Sequence, residues 1–95
     1  MPLNPKYRQH FLDLLEGRQF GDIKDKILND YCQRLCTNTR ALHGHQLKHK
    51  QNHLWSADIP KDGRGEYRIL FQIHCPITPE IPENEIHFID IQNTH

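Results

Sequence analysis

Glu66-Tyr67-Arg68-Ile69-Leu70-Phe71-Gln72-Ile73 alternates apolar and polar side chains, the period-two signature of a half-buried β-strand. Tyr67, Ile69, Phe71 and Ile73 share one face, and Arg68 and Gln72 project from the other. Upstream, Leu54-Trp55-Ser56-Ala57-Asp58-Ile59 is strand-like, and the cluster from Pro60 to Gly65 predicts a turn between the two. Downstream, a loop holding Pro76, Pro79 and Pro82 precedes a third apolar segment from about Glu85 to Ile91. These segments predict an antiparallel meander of three to four strands.

The first half carries a different period. Asn4-Pro5 has the form of an N-cap followed by proline at the first helical position. Tyr7, Phe11, Leu14 and Leu15 then recur at helical spacing up to Gly17. A second helix is expected from Asp22, with Ile23, Ile27, Leu28, Tyr31 and Leu35 as its stripe and Thr37-Asn38-Thr39 as its stop. The expected fold class is α+β: one domain over residues 1–95, an N-terminal helical hairpin packed on a small antiparallel sheet. No internal repeat is visible.

Ninety-five residues with 36% apolar content suit one modest core. The ordered apolar periods argue against disorder, although the mean hydropathy is −0.80. No run of roughly 18 apolar residues is present, so no membrane partner is expected. The opening Met1-Pro2-Leu3-Asn4-Pro5-Lys6 lacks the apolar stretch of a signal peptide, which predicts a cytoplasmic protein. Three cysteines, an odd number, argue against a secreted disulfide framework. Cys32 and Cys36, with His43 and His45 downstream, have a spacing that admits zinc. Buried free thiols are the simpler reading, and no metal or other cofactor is expected.

Formal net charge is zero, but charge is unevenly placed. Residues 40–55 hold Arg40, Lys48, Lys50 and four histidines without one acid, whereas residues 77–95 hold Glu80, Glu83, Glu85 and Asp90 without one Lys or Arg. Such a chain can present a basic face to phosphates while neutral overall. Arg68 suits phosphate because its planar fork donates paired hydrogen bonds and stays charged. Eight histidines supply groups that give or take a proton near neutral pH. Of these, His10 and His74 are expected to be surface residues without a role, and the side of His87 is undecided.

Leu47-Lys48, Leu54-Trp55-Ser56, Tyr67-Arg68-Ile69-Leu70-Phe71, Phe88-Ile89-Asp90-Ile91 and Thr94-His95, in this order and spacing, resemble the RelE/YafQ toxins of bacterial toxin–antitoxin pairs in the RelE/ParE superfamily. The resemblance implies an endoribonuclease, or mRNA interferase, that cuts mRNA in the ribosomal A site and is silenced by a cognate antitoxin protein. It places Arg68 on the scissile phosphate, His95 as proton donor or phosphate ligand, and His45 in proton transfer. Asp58 falls where members place a histidine, lysine or acid. Lys48 and Lys50 fall in the region that touches RNA backbone. Trp55 or Tyr67 could stack a base, although a core or rim position is the simpler reading of both.

The chemistry is metal-independent: the 2′-OH attacks the adjacent phosphorus, leaving a 2′,3′-cyclic phosphate and a 5′-OH. It needs a base, an acid and a cation. Three departures from the family pattern stand out. His49 and His53 stand where members commonly have glycines. Only residues 1–3 precede the expected first helix, so the family's opening strand should be barely present. The sequence stops at His95, where many relatives continue, which predicts a frayed or weakened site. Alternative readings are a ParE-type gyrase inhibitor that binds without cutting, and a catalytically inactive antitoxin-binding member.

Overall fold

The computed structural model of the chain describes residues 2–60 and 66–93. Its centre is a five-stranded mixed sheet in the order β1-β5-β4-β3-β2. The strands are β1 (Asn4–Tyr7), β2 (His45–Gln46), β3 (Trp55–Asp58), β4 (Tyr67–Ile73) and β5 (Glu85–Asn93). Helix α1 covers Gln9–Glu16. Helix α2 is a continuous run made of Lys24–Lys26, a π-helical turn at Ile27–Tyr31, and Cys32–Thr37.

This corrects the expected helical hairpin on a three- to four-stranded antiparallel sheet. Asn4-Pro5 does not cap a helix; it begins β1, which pairs parallel to β5 with Tyr7 opposite Phe88. The physical reason lies in the side chains. Leu3, Pro5 and Tyr7 turn inward and alternate with exposed Asn4 and Lys6, and the Tyr7 ring stacks on Phe11 at 6.0 Å and on Phe88 at 5.5 Å. A tyrosine four residues before a buried phenylalanine fits a helix stripe equally well, which is why spacing alone misleads here. Pro5 is tolerated because β1 is an edge strand. The opening strand is therefore present.

The second addition is β2, a two-residue strand opposite Ser56 and Trp55. β3 and β4 pair antiparallel, as do β4 and β5. The turn expected at residues 60–65 falls, over 61–65, outside the described residues.

Both helices cover one face of the sheet. Phe11 and Leu15 of α1, and Ile27, Tyr31, Cys32, Leu35 and Cys36 of α2, join Trp55, Ala57, Ile69, Phe71, Ile86, Phe88 and Ile91 in one core. A break in register between Leu70 and Phe71 gives β5 one extra residue: Phe71 faces Phe88 while Leu70 faces Asp90. This bulge lets Phe88 and Ile91, three residues apart, both point into the core, and it turns Asp90 to the opposite face. Leu70 and Ile81 are also buried but stand apart from the main core. No helix is long and apolar enough to cross a membrane among the described residues.

Candidate phosphate site on the helix-free face

Directly opposed residues of an antiparallel pair project from the same face. The register therefore lays out the face away from the core in rows. One row runs Asp58, Arg68, Gln92; the next runs His45, Ser56, Leu70, Asp90. A third, toward the β1 edge, places Gln72 beside His87 and His87 beside Lys6. Three residues expected to act together, Arg68, Asp58 and His45, thus do share a face.

Arg68 sits in the middle strand with Asp58 on one side and Gln92 on the other. Its Nε is buried and has no hydrogen-bond partner, and no ion pair holds the guanidinium among the described residues. A buried donor left unpaired costs about 1–3 kcal/mol, so the fold carries a cost at this arginine. Ser56, 1% exposed, adds a second unpartnered atom, its Oγ, in the neighbouring row.

His45 is exposed at the end of that row. Its Nδ1 lies 2.9 Å from the His43 carbonyl oxygen. A carbonyl only accepts, so Nδ1 carries the hydrogen and, in the neutral ring, Nε2 keeps its lone pair. That is the tautomer a general base needs. The carbonyl is aimed by an unusual turn: Leu42 and His43 both have left-handed φ, 54° and 60°. Strand spacing puts His45 roughly 10 Å across and 7 Å along the sheet from Arg68. The two backbones are too far apart for the side chains to pair with each other, yet close enough to address one nucleotide linkage between them.

Other expected site residues are placed elsewhere. Trp55 and Tyr67 belong to the core face, away from Arg68. Trp55 is 9% exposed and Arg40 lies 5.3 Å over its ring. Tyr67 meets Phe20 edge-on at 5.1 Å and accepts a hydrogen bond from Gln19. Neither offers a free face for stacking a base beside Arg68. Lys48 and Lys50 are exposed, Lys50 within a 3₁₀ turn at His49–Gln51 between β2 and β3. His95 lies outside the described residues. Cys32 and Cys36 are free and buried, and no group of three His, Cys, Asp or Glu among the described residues is arranged to hold a metal ion.

Sequence reasoning missed the β5 side of this face. Asp90 accepts from the backbone N–H of Ile91 at 2.8 Å, from Gln92 Nε2 at 2.9 Å and from His10 Nε2 at 3.0 Å. Nearer the β1 edge, Arg8 donates to His87 Nδ1 at 3.2 Å, and His87 Nε2 donates to Glu85 at 2.9 Å. Strict alternation from Phe88 would have put Asp90 in the core, so only the bulge reveals it. Neither a protein-family model nor a curated protein matches the sequence.

Proposed function

We propose that this chain is the toxin of a toxin–antitoxin pair, a metal-independent endoribonuclease that cuts mRNA by attack of the 2′-OH on the adjacent phosphate. The observation that carries the reading is Arg68: a central guanidinium, unpaired among the described residues, on the one sheet face the helices leave open, with Asp58 and Gln92 at its sides. An anion is the partner that such a group lacks. The motif resemblance to RelE/YafQ toxins supplies the substrate class, and the exposed Lys48 and Lys50 supply positive charge for RNA backbone.

In the reaction, Arg68 holds the non-bridging oxygens and stabilises the charge that builds there. His45 Nε2 takes the proton of the attacking 2′-OH. Asp58, opposite Arg68 in the strand register, serves as the alternative base. His95 is the acid the resemblance names. Action on mRNA in the ribosomal A site would place the protein in the cytoplasm, with a cognate antitoxin as its inhibitor.

The test is expression without an antitoxin. Growth should arrest, Arg68→Ala should relieve the arrest, and RNA fragments should end in 2′,3′-cyclic phosphate and 5′-OH, with purified protein equally active in EDTA. Removing one such charge-stabilising group typically costs ~10²–10³-fold in rate. Intact mRNA together with a DNA-damage response would instead identify a gyrase poison. Harmless expression of the wild type would identify an inactive antitoxin-binding member.

A further inference from the structure

In-line displacement at phosphorus places the attacking and leaving oxygens on opposite sides, so the base and the acid must approach from opposite flanks. His45 approaches Arg68 from the β2 side. On the other flank, just past the end of edge strand β1, the first turn of α1 brings His10 to β5, where its Nε2 lies 3.0 Å from Asp90. His45 and Asp90 are the two ends of one register row, about three strand spacings or ~14 Å apart, and Arg68 lies in the adjacent row between them.

Resting on the ribonuclease reading above, we propose that His10 is the general acid of this site, held in position by Asp90. The Asp90 carboxylate only accepts, so the His10 nitrogen facing it, Nε2, carries a hydrogen. Nδ1 is then the atom that presents a proton when the ring is in its imidazolium form. Gln92 joins the pair to the arginine: it stands opposite Arg68 and donates to the second Asp90 oxygen. With Ile91 N–H and His10 on the first oxygen, the carboxylate has three donors and a fixed orientation. That degree of support exceeds what a surface ion pair needs. The His10 side chain itself is 65% exposed, so substrate can reach it.

The 2′-oxygen forms its bond to phosphorus as His45 Nε2 takes the 2′-hydroxyl proton. The bond from phosphorus to the 5′-oxygen breaks, and that oxygen receives the proton from His10 Nδ1. The products are a 2′,3′-cyclic phosphate and a 5′-OH, and exchange with water restores both rings.

A leaving group that needs no proton separates this role from a structural one. The substrate pair is one RNA with its ordinary linkage and the same RNA with sulfur in place of the 5′-bridging oxygen, offered free and in programmed ribosomes. His10→Ala should slow cleavage of the oxygen linkage by ~10²–10⁴-fold and cut the sulfur linkage at close to the wild-type rate. Asp90→Asn should show the same selectivity in weaker form, whereas His45→Ala should be slow on both. Circular dichroism checks that each variant is folded. The inference is overturned if His10→Ala matches wild type on the oxygen linkage, if it is equally slow on both, or if His95→Ala shows the selective rescue in its place. Wild-type protein that cuts neither substrate overturns the ribonuclease reading itself.

Discussion

The Arg68 guanidinium shows how far residue identity can be read from one strand. Alternation in β4 fixes its face, and alternation in β3 fixes that of Asp58, so both were legible in the sequence. What alternation does not encode is the state of the group. The buried, unpaired Nε depends on what neighbouring strands fail to offer, and the His45 tautomer depends on a carbonyl two residues away. Trp55 and Tyr67 lie on the core face for a related reason that spacing does not encode, since an aromatic ring at a strand position suits a core and a stacking platform equally. In Arg68→Lys a methylene takes the place of Nε, removing the orphaned donor while keeping a positive head group. Unfolding stability should rise by about 1 kcal/mol, and cleavage should fall at least ~10-fold because an ammonium lacks the planar fork. Denaturant midpoints and cleavage rates on the same samples check both. A variant that loses activity without gaining stability would show that Nε is satisfied in solution.

At the scale of elements, the strands with long uninterrupted alternation were legible and the short or irregular ones were not. β1 has four residues and a proline, and its spacing also fits a helix; what makes it a strand is the stack of Tyr7 on Phe88, a contact 81 residues away in sequence. Counted from Phe88, the β5 bulge inverts the side assignment of everything after it, which hid Asp90. β2 is held by a turn that no turn signal announces. Leu42 and His43 adopt left-handed conformations that cost of order 1–3 kcal/mol each, and Gly44 follows them with its N–H bonded to the Ala41 carbonyl at 2.9 Å. A Cβ on Gly44 would stand 1.9 Å from the Thr39 carbonyl oxygen and 3.1 Å from that of Ala41. Backbone on both sides leaves it nowhere to move. Gly44→Ala should therefore destabilise the fold by roughly 2 kcal/mol or more and should lower cleavage further by displacing His45. Thermal unfolding that leaves this variant unchanged would show that the turn is looser than described.

For the whole molecule, the decisive seam is the one that joins β1 to α2 behind the sheet. Leu3 N–H donates to the Cys36 carbonyl at 2.8 Å, and Tyr7, Cys32 and Cys36 are brought together there. Burial strips water from these groups and disfavours their charged forms. The Tyr7 hydroxyl is pushed from 10.0 up to about 12, first by desolvation and then by the two thiols beside it. Cys32 is raised well above 9.0 by burial and by Cys36, and Cys36 is raised by burial. Below pH 9 both the folded and unfolded chains keep these protons, and the full stability is present. As pH climbs past 9, the unfolded chain releases thiol protons that the folded chain retains, and past 10 it releases the tyrosine proton as well. The unfolded state then binds fewer protons, so stability falls with rising pH. The urea midpoint should drop steadily between pH 9 and 11, well before the folded tyrosine itself ionises. Cys32→Ala with Cys36→Ala should begin less stable at pH 8, from lost packing, but decline more shallowly across the same range. Parallel slopes for the two proteins would show that the thiols do not carry the effect, and that this seam is wetter than its packing implies.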